Sequence, residues 1–340
     1  MNELLDTSGM FESPVARWGA VAAGLALLVA PLLTVVLERL RLLGEKTRKD
    51  IWTRYFTWLV LAPVMIAAVL ACPASAIAGV LLVSLLCYRE FARATGLFRH
   101  LLMSVIVAGG IILTAWANLD NWYGLYVALP ALVLTVLSAA AVLPDEPKGY
   151  LQRVSLAAVA FLLFGTGMNY LGLLANYPGY RPILMLLIAC SQLSDIAAYC
   201  FGKAMGRRKL FPNTSPNKTL GGHVGAMIVI APLAAFAGHI IFKDSPIDTP
   251  LRLAGLGLII AAGAQLGDLV IGSIKRDIGI KDMGATLPGH GGFLDRFNSL
   301  LLIAPAAFHY INFFGGFDIP ITRRHLFQQL LDVIGVGGAA

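Results

Sequence analysis

Ten runs of mainly apolar residues divide this chain, most of them near the length that crosses a lipid bilayer. They lie at about 17–38, 55–71, 73–88, 100–117, 123–143, 153–175, 182–201, 222–242, 251–272 and 299–315. A spanning helix needs about 20 such residues, because in hydrocarbon each backbone amide must find its partner inside its own segment. Only Cys72-Pro73-Ala74 parts the second run from the third, so these two read as a tight helical hairpin. Composition agrees: 58% of the residues are hydrophobic and 13% are charged, whereas a soluble domain carries about 25% charged residues. The expected fold is all-α, a polytopic integral membrane helical bundle of about ten transmembrane helices. The acidic, polar stretch before the first run is the wrong flank for a secretory signal.

The loops between the runs alternate in charge. One set holds 20 of the 26 Lys and Arg residues, among them Arg89, Arg93, Lys203, Arg207, Lys218, Lys275, Arg276, Lys281 and Arg296. The other set, with Arg17, Arg181, Lys243, Arg252, Arg323 and Arg324, holds 6. The rich side is expected to be cytoplasmic, which puts both termini outside. Basic residues spread over short loops also account for the net charge of +7 without a nucleic-acid partner. Cys72, Cys87, Cys190 and Cys200 show no paired framework and read as packing residues. The five tryptophans fall near predicted helix ends and read as interface anchors. His223, His239 and His309 lie on apolar stretches and read as packing or interface residues. The chain divides into 1–150, 151–315 and a less hydrophobic tail, 316–340, in which Ile321 to Ile334 reads as a short surface helix.

Against this oily background, Ser273 to Asn298 gathers Lys275, Arg276, Asp277, Lys281, Asp282, His290, Asp295 and Arg296 among glycines and a proline. Asp268 sits inside the ninth run and Asp195 inside the seventh, each about two turns from the charged end. Carboxylates at membrane depth are expensive and point to function, or else to buried hydrogen-bonded structure. Asp268 and Lys275 are seven apart and share a helix face; Ser191, Asp195 and Tyr199 share another. Asp268, Asp295, Asp195 and Asp282 could supply oxygen ligands to Mg²⁺, which favours one or two carboxylates plus phosphates. Lys275, Arg276, Lys281 and Arg296 suit phosphate neutralisation. In Pro288-Gly289-His290-Gly291-Gly292 the backbone can approach a ligand closely and aim several N–H groups at it. His290 reads as a loop residue, a phosphate contact or a metal ligand. The segment 202–222 adds Arg207, either an anchor or a contact, and the hydroxyl-bearing turn Ser215, Lys218 and Thr219. No triad order, zinc-protease motif or P-loop is present, and a phosphate oxygen can attack phosphorus without a general base.

These residues resemble the signature of phosphatidate cytidylyltransferases (CDP-diacylglycerol synthases), which runs S-x-x-K-R, four residues, K-D, P-G-H-G-G, D-R and a final D. The matching positions are Lys275-Arg276, Lys281-Asp282, Pro288 to Gly292 and Asp295-Arg296, with Gly267-Asp268 before them. Upstream, Asp195-x-x-x-Tyr199, Gly206-Arg207 and Ser215-Pro216-x-Lys218-Thr219 resemble the family's other cytoplasmic segment. The likeness covers about 150–315 and is nearest a second, less typical bacterial branch. It implies an enzyme that joins CTP and phosphatidic acid into CDP-diacylglycerol and pyrophosphate with Mg²⁺, a second ion being left open. Asp268 and Asp295 would hold the metal, sharing one cation, and Lys275, Arg276, Lys281 and Arg296 the phosphates. The resemblance also implies a multi-pass protein of the bacterial inner membrane with its active site facing the cytoplasm. Its partners would be CTP, phosphatidic acid and membrane lipids, with a homodimer left open. Three positions depart from the pattern: Gly272 replaces the serine, Gly221 an acidic residue and Asn298 the final aspartate. They keep alive a catalytically impaired relative that binds nucleotide or lipid. A transporter of an anionic solute or lipid is the alternative from another class. A tag at either terminus is expected to be reached only from outside intact cells; labelling from the cytoplasmic side would undo the loop assignment.

Overall fold

Helices occupy the apolar runs and extend past their apolar limits into the polar flanks. The computed structural model describes residues 2–40, 44–315 and 323–326. In order come α1 (Pro14–Arg39), α2 (Glu45–Ala71), α3 (Pro73–Thr95), α4 (Leu101–Leu119) and α5 (Tyr123–Ala140). Next are α6 (Tyr150–Ala160), a π-helical stretch (Phe161–Gly167), α7 (Tyr170–Leu174), α8 (Tyr180–Met205) and α9 (Leu220–Ile241). The order closes with α10 (Pro250–Asp277), α11 (Leu294–Phe297) and α12 (Leu300–Phe313). No strand occurs among the described residues, and two isolated bridges, Lys209 with Thr219 and Leu287 with Gly291, pinch the charged loops.

The expected hairpin at Cys72 is present. Cys72 is extended, with φ −155° and ψ 166°, because the proline that follows disfavours the helical region for it. Pro73 then opens α3, where its missing N–H is no loss, and Ser75 accepts the Cys72 amide at 3.0 Å. The sixth run is a spanning stretch interrupted by the π turn, where the Phe161 ring fills the space a side chain at Gly165 would need.

The count of about ten agrees closely with the helices found. Nine helices among the described residues have the length and apolarity to cross a membrane. The tenth run forms α12, only 14 residues, or about 21 Å against a hydrocarbon core of about 30 Å. Asn298 and Ser299 keep helical dihedrals, so the path continues back through α11 to Leu294. The interruption lies where Gly267 of α10 presses on it: a Cβ there would meet the Asn298 carbonyl at 2.6 Å and Ser299 Cα at 2.8 Å. The proposed tail helix from Ile321 to Ile334 lies outside the described residues except for 323–326.

Contacts sort the loops onto two ends of the bundle. One end gathers the start of α2, the end of α3, the α8–α9 loop and the segment after α10. The other gathers the end of α2, the α4–α5 turn and the α7–α8 loop. At this second end the fully buried Asp120 takes Arg323 on one oxygen and the Leu326 amide, at 2.7 Å, on the other. Arg324 reaches Asn176 at 2.8 Å, so the returning chain laces three elements together.

Helices α8, α9, α10 and α12 form one packed group. One of its closest crossings is at Gly257 of α10, where a Cβ would overlap the Ala231 carbonyl of α9. Since the obstacle is backbone, Gly257→Leu is expected to force the helices apart. It should destabilise the detergent-solubilised protein by about 1–3 kcal/mol, read as a lower thermal midpoint; an unchanged midpoint would refute this contact.

Candidate active site

Two carboxylates anchor the charged end, and each is paired with a lysine. Asp268, on α10, faces the loop that leads into α9, and Lys218 of that loop forms an ion pair with its Oδ2. The Asn298 amide donates to Asp268 Oδ1 at 2.7 Å. Asp195 of α8 remains exposed, yet lies within electrostatic reach of Asp268, Lys218 and Arg296. The sequence-predicted meeting of the two helix faces is therefore present around Asp268, Asp195 and Lys218.

One helical turn-pair further along α10, Lys275 donates to Asp295 Oδ1 at 2.8 Å. Asp295 is buried, and its Oδ2 accepts the amides of Met283 at 2.9 Å and Gly292 at 3.0 Å. The seven-residue spacing thus presents Asp268 and Lys275 to two different partners, and each aspartate pairs with its own lysine. The glycine run turns its amides inward: His290 donates to the Leu287 carbonyl at 3.0 Å, and Gly292 to Asp295. Left-handed backbone at Gly289 and Gly291, φ 73° and 83°, makes this reversal.

The other predicted residues hold varied positions. Arg276 bonds the carbonyls of Thr214 at 3.2 Å and Ile280 at 3.1 Å, tying the two charged loops together. Arg296 donates from Nε to the His290 carbonyl at 3.0 Å. Thr219 caps α9 by accepting the Gly222 amide at 3.2 Å, and Ser215 closes the turn through which the Lys218 amide reaches its carbonyl at 3.1 Å. Lys281, Asp282 and Arg207 are exposed at the rim. Tyr199 lies under the Lys203 ammonium, 4.7 Å from its ring centre, and not with Asp268. His290 is buried against Trp58 of α2, ring centres 6.0 Å apart. Burial, and then the Arg296 guanidinium, hold its imidazolium below the ordinary histidine value, so the ring is neutral at pH 7.

Sequence reading missed Glu90. It lies on α3, in the charged flank Arg89-Glu90-Phe91, with nothing in its neighbours to set it apart. In the structure it is buried and accepts from Thr286 Oγ1 at 2.5 Å and from the amides of Phe293 and Leu294 at 3.0 and 2.9 Å. A pattern of glycines was the one available signal: Gly284 and Gly292 both abut its carboxylate.

Two of the three departures acquire local reasons, and nothing in the structure explains Gly272. A Cβ at Gly221 would sit 2.8 Å from the Met205 carbonyl, so an acidic side chain has no room there. At Gly272 only Thr214 comes near, at 3.5 Å, so a serine would fit. Asn298 supplies a donor to Asp268, where a carboxylate would bring like charges together.

Mg²⁺ prefers oxygen ligands, commonly one or two carboxylates with substrate phosphates. Asp268 and the nearby Asp195 offer oxygens of that kind, though Lys218 and Asn298 engage both oxygens of Asp268, and no group of three or more His, Cys, Asp or Glu gathers among the described residues. Asp295 has both oxygens engaged by Lys275 and backbone amides, so sharing a cation with Asp268 would require it to release part of that set.

The profile of the Cytidylyltransferase family matches residues 52–314. An uncharacterized protein, YnbB of Escherichia coli (strain K12), is 36% identical over 190 residues, covering 54% of this chain and 62% of that protein's length. A phosphatidate cytidylyltransferase of Staphylococcus aureus (strain COL) is 31% identical over 242 residues, 60% of this chain and 91% of the relative. The phosphatidate cytidylyltransferase of Staphylococcus haemolyticus (strain JCSC1435) is 38% identical over 160 residues, 45% of this chain and 59% of the relative.

Asn298→Asp replaces a donor with a second acceptor beside Asp268. It is expected to destabilise the protein by about 1–3 kcal/mol in chelator and to make its thermal midpoint rise with added Mg²⁺. A midpoint indifferent to both changes would remove Asn298 from the cluster.

Proposed function

The chain belongs to the cytidylyltransferase family, which makes it a nucleotidyltransferase, and we propose that it joins CTP to phosphatidic acid, giving CDP-diacylglycerol and pyrophosphate. The observation that carries this reading is the pairing of each site carboxylate with a lysine at the polar end of an apolar bundle. A lysine held by a carboxylate can turn to a phosphate of higher charge, and a cation can take its place. Both substrates reach such a site, the nucleotide from water and the lipid headgroup from the bilayer edge. The names of the relatives from Staphylococcus support the same substrates.

In the reaction, an oxygen of the lipid phosphate attacks the α-phosphorus of CTP. The new P–O bond forms as the bond to the β-phosphate oxygen breaks, and pyrophosphate leaves with the electron pair. No proton need be removed from the nucleophile, so positioning and charge compensation dominate. Lys218 and Lys275 would hold phosphate oxygens, and Arg296, at the cleft edge, would orient them. Mg²⁺, when bound at Asp268 and Asp195 with help from Asp295, would neutralise charge on the transferring and leaving phosphates. The site is proposed to face the cytoplasm of a bacterial inner membrane, where CTP resides.

A specific observation favours a second reading. Asn298 stands where the family carries an aspartate and already satisfies Asp268, as in a relative that binds nucleotide without turnover. Purified protein with labelled CTP, phosphatidate and Mg²⁺ separates the two. The transferase yields a labelled lipid and pyrophosphate, and Asp295→Ala lowers the rate by about 10³-fold while the protein stays folded. Calorimetric CTP binding with no lipid product across several acceptors would establish the second reading instead.

A further inference from the structure

Resting on the transferase reading, we infer that Glu90 of α3 is a positioning residue: its buried carboxylate holds the Phe293–Arg296 turn so that Asp295 and Arg296 are presented to the reacting phosphates. Glu90 comes from the other half of the chain, about 200 residues before the loop it grips. Three donors converge on it: the Thr286 hydroxyl on Oε1, the Phe293 amide on Oε1 and the Leu294 amide on Oε2. All are neutral, and no cation pairs with it among the described residues. An ionised carboxylate only accepts, so it suits a place where successive backbone N–H groups point the same way.

The position of those donors makes the contact more than a staple. The Gly292 amide goes to Asp295, and the next two amides go to Glu90. Asp295 and Arg296 follow immediately. The two carboxylates therefore bracket one reversal of the chain from opposite sides, and Asp295 cannot swing without disturbing the amides that Glu90 holds. Both lie close enough to the buried Cys87 to act on it electrostatically, so they share one small region. The loop is shaped to admit Glu90: a Cβ at Gly292 would overlap its Oε2, and one at Gly284 would stand 2.8 Å from its Cδ. Glycine at these two positions is thereby explained by an intramolecular guest.

The test compares Glu90→Gln, Glu90→Asp and Glu90→Ala in the full chain, in detergent with Mg²⁺, CTP and phosphatidate. The glutamine keeps shape but turns an NH₂ toward a backbone donor, and the aspartate loses one methylene of reach. Each is expected to lower kcat about 100-fold, the effect of a misplacement near 1 Å, with KM for CTP moving far less. Backbone amide exchange over 284–296 should quicken about tenfold, while exchange in α4 and α5 stays as in the wild type. Gly292→Ala should abolish folding or activity alone and be accommodated structurally, without recovery of kcat, in the Glu90→Ala background. Wild-type kcat in Glu90→Gln would overturn the inference. So would activity loss with unchanged exchange in the loop, or loss explained wholly by a smaller folded fraction turning over at the wild-type rate. If the wild-type protein itself makes no lipid product, the transferase reading fails separately, and the exchange measurement still decides whether Glu90 holds the turn.

Discussion

A carboxylate at the end of an apolar helix must be met by donors or cations, because leaving it unpaired in poor solvent is prohibitive. That constraint organises the charged end of this protein. Asp268 is met by Lys218 and Asn298, Asp295 by Lys275 and two amides, and Glu90 by two amides and a hydroxyl. Each solution recruits a different stretch of chain, and together they fix the loop after α10 against α3 and α10 and tie α10 to the α8–α9 segment. The glycines follow from it, since the carboxylates come so near the backbone that side chains would collide.

The two kinds of solution behave differently. Lysine partners are flexible and replaceable by other cations, so the Lys218 side of Asp268 and the Lys275 side of Asp295 can exchange while the amides on Asp295 cannot. Backbone amides cannot leave, so Glu90 has no such freedom. The site thus combines a fixed member with exchangeable ones, an arrangement suited to the proposed group transfer between two anions, in which some groups reorganise while the frame that aims them does not.

Much of this was legible in the sequence. The apolar runs predicted nearly every helix, because spanning a bilayer leaves the backbone no other option than to bond within its own segment. The convergence of the Asp268 and Asp195 helix faces at one end followed from helical spacing and from the gathering of charge at one set of loops. What was hidden depended on contacts between distant segments. Glu90 looked like one more charge in Arg89-Glu90-Phe91 until the loop folded over it. Charged neighbours alone admitted His290 as a loop residue, a phosphate contact or a metal ligand, and its ring packs against Trp58 of α2. The break between α11 and α12 escaped notice because an apolar run does not reveal where a neighbour such as Gly267 will press against the chain. Tyr199 shared a helix face with Asp195 on paper, yet Lys203 one turn on claimed its ring.

Far from the chemistry, the Asp120 lacing has its own consequence. Arg323 and Arg324 tie the returning chain to the α4–α5 turn and to Asn176, closing the bundle at one pole. A structure laced at one pole by a buried aspartate, and held at the other partly by exchangeable counter-charges, is asymmetric in compliance. Thermal agitation, and the entry of bulky amphiphiles, will be accommodated by splaying at the unsewn pole, as the legs of a tripod spread from a common collar.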